Sequence, residues 1–396
     1  MIAILVGGLL VVLALGLLEA WIHTRRLRRI PVRIHVNGTR GKSSVTRLIA
    51  AGLRGGGMVT CAKTTGATAS MIFPDGSEYA IFRPLGANII EQLRVVRSAA
   101  EQGADALVVE CMALQPLLQS LSELKLIRST HGVITNVRPD HLDVMGPSAG
   151  DVALALAGTV PTNAELFTCE TRSLEVLEHA ASDRNSHLTA IDEIDVDTVT
   201  DDEMAGFSHV EHRANVALAL RVCAELGVAR RSALEGMWEA RPDPGALTVM
   251  RVDAFGRELH FANAFAANDP ESTGELWKMM LERYPEVSRR IALVCCRIDR
   301  PERSRQLGQA CAQWEPADRY LLMGSGTYVF ARAAQKGGIA PDTISIVEGR
   351  PPESIFDAIL EASNRSTFVM GMGNTGHGGL ELAQYFTGRG ELETPR

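Results

Sequence analysis

The sequence has no CxxC pair among its seven cysteines, and no His/Cys cluster at zinc-ligand spacing. The odd count also speaks against a complete disulfide framework. Cys61, Cys111, Cys169, Cys223, Cys295, Cys296 and Cys311 are therefore read as reduced thiols of a cytosolic compartment. Excess positive charge is missing too: 40 Lys and Arg stand against 47 Asp and Glu, a formal net charge of −7. A nucleic-acid binder normally carries a basic face, so no nucleic-acid partner is expected. A phosphate site is still open, because backbone N–H groups and one or two cations suffice to hold phosphate. Internal repeats and low-complexity tracts are absent. What remains is a chain of 396 residues, 46% hydrophobic and 22% charged, which is a globular composition with room for two or three domains.

A second long apolar run is also lacking. The one present, Met1 to Ile22, carries Glu19 as its only charge, and Arg25, Arg26, Arg28, Arg29 and Arg33 follow it. Its length suits a transmembrane helix. A cleaved signal peptide would need a basic leader, a shorter apolar stretch and a small-residue cleavage site, none of which is convincing here. We read residues 1–22 as a single-pass anchor in the cell membrane and 23–31 as a basic juxtamembrane linker. The arginines place the rest of the chain in the cytoplasm.

Past the anchor, strand, turn and helix patterns alternate. Val32–Val36 reads as a short buried strand before a Gly-rich turn and a helix from Ser44 to about Leu53. Further strands fall at Ala106–Val109 and Gly132–Asn136, with helices around Ile89–Ala100 and Asn215–Leu226. Such alternation predicts a mostly parallel sheet covered by helices on both faces. Arg241-Pro242-Asp243-Pro244-Gly245 breaks the pattern, and we place a domain boundary there, giving units over 32–244 and 245–396. Strands at Ile291–Val294, Tyr320–Met323 and Thr367–Met370 predict a second doubly wound unit.

Asn37-Gly38-Thr39-Arg40-Gly41-Lys42-Ser43-Ser44 lies between a predicted strand and a predicted helix, where a phosphate-binding loop belongs. Glycines let the backbone wrap phosphate, and the helix N-terminus supplies free N–H groups and positive dipole. Lys42 would reach the outer phosphates and Ser43 would ligate Mg²⁺. Val36 stands where the general pattern has its first glycine, so the loop is tighter than usual. Glu110, at the end of an apolar strand, is either a solvent-facing acid or a metal ligand. His212 and Asn215 are either a polar patch at a helix start or a binding pair. Arg297, Asp299, Arg300 and Arg303 are either a solvated charge run or grips for an anion. Gly371-Met372-Gly373-Asn374-Thr375-Gly376 has dinucleotide-loop spacing, but the chain ends too soon for the rest of that unit. An anion nest or a tight interdomain turn fits better.

The tight loop is similar to that of the Mur ligase superfamily, and the motifs downstream agree in order. Lys63-Thr64-Thr65-Gly66 precedes Val108-Val109-Glu110-Cys111-Met112. Thr135-Asn136-Val137-Arg138-Pro139-Asp140-His141-Leu142-Asp143-Val144-Met145-Gly146 follows and contains a segment like the superfamily's DHLD. Glu110-Cys111-Met112-Ala113, Asn263-Ala264-Phe265-Ala266-Ala267-Asn268-Asp269 and Cys296-Arg297-Ile298-Asp299-Arg300-Pro301 look more specifically like the ATP-binding subunits of poly-γ-glutamate synthases. The resemblance runs from about Val32 to Phe386. It implies an α/β fold in which a P-loop, Mur-ligase-type central domain precedes a C-terminal Rossmann-like domain.

The resemblance also implies roles. ATP would lie on Gly38, Thr39, Arg40, Gly41, Lys42, Ser43 and Ser44, with Asn215 toward the adenine. Lys42, Glu110 and His141 would be catalytic. Ser43 and Glu110 would hold one Mg²⁺, and His141, with Asn136 nearby, a second. The lysine that Mur ligases usually supply to that second site is missing between Asp151 and Thr159. Asn263, Asn268, Asp269, Arg297, Asp299, Arg300 and Arg303 would meet the substrate. The reaction implied is phosphorylation of a glutamyl γ-carboxylate by ATP, followed by attack of the next glutamate's amine. Glutamate and poly-γ-glutamate would be the substrates, and a multi-pass membrane subunit the partner. A folylpolyglutamate-synthase-like ligase and a non-ligase P-loop ATPase are the alternatives.

Overall fold

The computed structural model describes residues 2–66, 69–84, 86–207, 209–243, 247–267 and 269–393. Asn268 and the expected boundary at 244/245 lie outside them. The polypeptide divides into two compact units, Met1–Phe207 with Glu211–Asp243, and Ser208–Val210 with Pro244–Arg396.

The first unit opens with α1 (Ile2–Leu27), the one helix among the described residues long and apolar enough to cross a bilayer. Its leucines and valines are exposed along most of its length. Only the C-terminal end is buried: Leu27 and Ile30 pack with Val95, Val96 and Ala99 of α3 (Glu91–Glu101). The His23 ring nitrogen Nε2 also meets the Leu126 carbonyl at 2.8 Å.

Eight strands follow: β1 (Val32–Asn37), β2 (Thr60–Thr64), β3 (Ser70–Ile72), β4 (Glu78–Ala80), β5 (Ala106–Glu110), β6 (His131–Ile134), β7 (Glu165–Thr168) and β8 (His187–Ala190). They form one sheet in the order β4-β3-β2-β5-β1-β6-β7-β8. Pairing is parallel from β2 to β8, as the alternation predicts, and antiparallel only at the β2–β3–β4 edge. β5 is buried along its whole length, hence its apolar run Ala106–Val109, whereas β1 alternates and buries His35 and Asn37 beside Ile34 and Val36.

The helix expected from Ser44 begins at Lys42 and runs to Gly55, here α2. It buries Val45, Leu48, Ile49 and Leu53 against the sheet. The helix Arg230–Trp238 crosses its other side, and a Cβ on Gly55 would sit 2.2 Å from the Ser232 carbonyl oxygen. Only glycine permits that crossing.

The second unit holds a seven-stranded sheet from β9 (Thr248–Ala254), β10 (Arg257–Asn263), β11 (Arg289–Cys296), β12 (Arg319–Gly324), β13 (Ile344–Ile346), β14 (Ser366–Met372) and β15 (Glu391–Leu392). Its order is β13-β12-β11-β14-β10-β9-β15. The first five of these pair in parallel. The β9–β10 hairpin turns at Phe255-Gly256, both with positive φ, as a tight turn matched to strand twist requires. One core cluster gathers Trp277, Phe330 and Phe368, and another Phe261, Phe356 and Phe386.

Candidate active site

The phosphate loop leaves the sheet at its central strand. The side chain of Asn37, at the end of β1, donates to Gln119 (2.8 Å) and Thr159 (3.0 Å), which fixes the strand's exit. Gly38 follows with φ +131°, and a Cβ there would lie 2.0 Å from the Thr135 hydroxyl. Gly41, at φ +78°, caps α2 without any side-chain hydrogen bond, so the first N–H groups of the helix stay directed outward. Asn136 braces the loop from β6: its Oδ1 accepts from the Thr39 hydroxyl (2.8 Å) and the Arg40 N–H (3.1 Å).

Lys42 folds back onto the loop, its ammonium donating to the carbonyls of Gly38 (2.7 Å) and Thr39 (3.3 Å). Burial pushes its pKa below the usual lysine value, with the Glu110 carboxylate pulling the other way. The Glu110 alternative is decided against a solvent-facing acid. Glu110 is 3% exposed, and its Oε2 accepts from the Ser43 hydroxyl (2.9 Å) and the Thr65 N–H (2.5 Å). One carboxylate thus joins the ends of β5 and β2 to the first turn of α2. Ser44, half-buried, lies in the same turn.

Arg40 faces Asp140 at 3.7 Å, and His141 stands beside the same carboxylate at 3.9 Å. His141 adopts φ 47°, ψ 45° at the start of the short helix Leu142–Met145. Ser43 and Glu110 are therefore brought together, whereas His141 belongs to the Arg40–Asp140 group. Among the described residues no cluster of three or more His, Cys, Asp or Glu side chains stands ready for a metal. The Ser43 hydroxyl and Glu110 carboxylate form a hard-oxygen pair beside a phosphate loop. That donor set fits Mg²⁺, which commonly takes few protein ligands and completes its shell from phosphate and water. Asp151, in the stretch without the lysine, closes a capping box with Ser148 at the helix Ala149–Ala157.

Asn215 lies in the first turn of the helix Arg213–Glu225, where it accompanies the loop: a Cβ on Gly41 would stand 2.8 Å from Asn215 Oδ1. Its amide donates to Glu211 at 2.8 Å. Pattern reading missed the polar supports around this site. Lys63, fully buried in β2, pairs with Glu91 at 2.8 Å, and Glu91 is also held by Arg83. Arg47, one turn beyond Ser43, grips both Glu78 oxygens. A lysine in the middle of a buried strand was the available signal for the first of these.

In the second unit, β11 and β14 are neighbours, and the chain winds outward from them in opposite directions. That arrangement creates the crevice at strand ends where α/β sheets take ligands. Arg297, Asp299, Arg300 and Arg303 follow β11. Arg297 and Asp299 form a two-point pair at 3.0 and 2.6 Å, so much of their charge is mutually neutralised. Arg300 precedes the helix Pro301–Cys311. Arg303 donates to Asn374 Oδ1 (3.0 Å), and Asn374 donates to the Cys295 carbonyl (2.8 Å), tying the Gly-rich loop after β14 to the end of β11. Asn263 ends β10, opposite Gly371. Asp269 caps the helix Pro270–Arg283 by accepting the Ser272 N–H at 2.8 Å.

Residues 36–155 match the Mur ligase middle domain, and residues 249–389 match the poly-gamma-glutamate synthase CapB C-terminal domain. PGA synthase CapB of Bacillus subtilis (strain 168) is 35% identical over 373 residues, 94% of each chain. Capsule biosynthesis protein CapB of Bacillus anthracis is 36% identical over 368 residues, 92% of this chain and 78% of that one. E. coli FolC in complex with ADP superposes with a TM-score of 0.69 at 14% identity, covering 94% of both chains. Mycobacterium tuberculosis folylpolyglutamate synthase complexed with ADP gives 0.67 at 16% identity over 95% of both. At such identities the likeness shows the fold.

Proposed function

The chain belongs to the poly-γ-glutamate synthase CapB family and is an ATP-dependent amide ligase, and from that premise we propose how its residues carry the reaction. The observation that carries the assignment is the Glu110 carboxylate, buried and bridging Ser43 and Thr65 beside the loop. ATP occupies the loop from Gly38 to Ser44, its phosphates taking the outward N–H groups of α2. Lys42 exchanges its loop carbonyls for the outer phosphate oxygens. Ser43 and Glu110 hold Mg²⁺, which neutralises phosphate charge when bound. Asn215 borders Gly41 and lines the nucleoside side. Arg40, Asp140 and His141 form the rim toward the carboxylate being phosphorylated.

Carboxylates are poor electrophiles, and phosphorylation of the γ-carboxylate makes a leaving group that the next glutamate's amine can displace. Arg303, oriented by Asn374, and Arg300 hold substrate carboxylates. Asn263 and Asp269 lie on the same edge of their sheet. The chain is anchored by α1 with its catalytic part cytoplasmic, and it works with a multi-pass membrane subunit. The polymer carries a carboxylate on every unit and cannot cross hydrocarbon unaided. The test is ADP release by membranes containing the full chain and its partners, with and without glutamate. Glutamate-dependent release with amide product is expected. Release that ignores glutamate would instead mean an ATPase.

A further inference from the structure

We propose that a cleft on the edge of the first sheet opposite the phosphate loop binds a phosphate ester. The cleft, ≈ 450 Å³, is lined by Arg33 at the start of β1, Arg128 to Thr130 before β6, and Thr162 and Asn163 before β7. The catalytic loop leaves the other ends of β1, β5 and β6. The two sites therefore share a sheet but not an edge.

Its chemistry is that of an anion site. Arg33 and Arg128 supply two cations, and Ser129, Thr162 and Asn163 supply neutral donors, whereas the Thr130 hydroxyl is engaged by the Arg33 backbone and His131. The Arg128 guanidinium has no hydrogen-bond or ion-pair partner among the described residues. Ser129 is 5% exposed, and its hydroxyl oxygen is likewise without one, although buried polar groups are nearly always paired. The one acid in the wall, Glu123, is already committed. Its Oε2 meets His35 Nδ1 at 2.7 Å and its Oε1 accepts the Ser129 N–H at 2.8 Å. It is left with little charge to repel an anion.

The surroundings point to a lipid as the source of that ester, an identification that rests on reading α1 as a membrane anchor. Arg33 donates to the Ile30 carbonyl (2.7 Å) at the exit of α1 and to the Arg128 carbonyl (3.0 Å), binding the cleft to the anchor's end. His23 meets Leu126, two residues before Arg128. Arg25, Arg26, Arg28 and Arg29 stand on the same stretch of chain, where an anionic leaflet would lie. A soluble phosphate ester shares the recognition chemistry, and the experiment separates the two.

The full chain in detergent micelles is titrated with phosphatidylglycerol and, separately, with glycerol 3-phosphate, with bound species counted by native mass spectrometry. Wild type should retain the ligand. Arg128→Asn, which tolerates the left-handed backbone at φ 49°, should weaken it about tenfold. Ser129→Ala should weaken it less, and Arg25→Gln, outside the cleft, not at all. Binding of phosphatidylglycerol that glycerol 3-phosphate does not displace identifies a lipid; displacement identifies a soluble ester. No binding of either, or equal binding by wild type and Arg128→Asn, overturns the proposal. Release of the chain from membranes by alkaline carbonate would sink the anchor reading alone, leaving the glycerol 3-phosphate arm to decide the cleft.

Discussion

At the scale of single residues, charge placement separates the catalytic groups from the supporting ones. The hydrogen bonds of the Lys42 ammonium among the described residues go to loop carbonyls, so Lys42→Ala should leave the fold intact while glutamate-dependent ADP release falls by about 10²–10³-fold. Near-normal turnover would remove Lys42 from the site. Glu110→Gln keeps the shape of the bridge but loses the charge. Nucleotide binding should survive while turnover stops and the Mg²⁺ dependence of binding flattens, as isothermal titration at varied Mg²⁺ would show. His35 supplies a pH dependence. Burial alone would depress its pKa, but the Cys111 thiol and the Glu123 carboxylate outweigh it and raise the imidazole from 6.5 to about 9. The resulting stabilisation is complete below about pH 6.5 and is lost as pH rises through about 9. Thermal melts between those values should fall for wild type and stay flatter for His35→Asn. Replacing His35 also leaves Glu123 buried and unpaired, a loss of about 3–5 kcal/mol.

Elements make the loop possible by how closely they approach. Helix α2 begins directly after Gly41 of the loop, and its C-terminal half is clamped by the helix Arg230–Trp238 through Gly55 and Gly236. A Cβ on either would meet backbone of the other helix at under 2.5 Å. Alanine would favour a helix by propensity, so the sign of Gly55→Ala is a direct test of this packing. We expect destabilisation of about 1–3 kcal/mol in chemical denaturation, where propensity alone predicts a gain of about 1 kcal/mol. The loop's other support is Asn136, which links β6 to Thr39 and Arg40. That contact spans nearly a hundred residues, which no local pattern reports.

For the molecule as a whole, α1 and the loop Gly38–Gly41 lie at opposite ends of β1. Truncation must respect where α1 stops being peripheral. Cutting as far as Leu27 would remove His23 and Leu27, which pack into the first unit. Removing residues 2–19 spares both. The shortened chain should leave the membrane fraction and still bind ATP in a fluorescence titration, yet fail to support polymer production in cells and fail to co-purify with membrane subunits. Normal polymer export by this fragment would reject the membrane complex.

The sequence by itself determined what local chemistry can encode. The apolar run is long enough to span a bilayer. The alternation of strands and helices declared a parallel sheet, because parallel neighbours need a crossover connection that is usually a helix. The loop from Gly38 to Ser44 was legible because its glycines, Lys42 and Ser43 lie side by side in the chain. Tertiary structure alone decided the rest. Glu110 reaches Ser43 and Thr65 only because β2, β5 and β1 are neighbours. Asn215 reaches Gly41 only because a helix distant in sequence returns to the loop. His141 stands beside Asp140, which also faces Arg40, a grouping that the motif order does not report. Motif order carries no information about direction in space: a side chain's partners depend on strand order and loop path, which are set by packing over the whole unit.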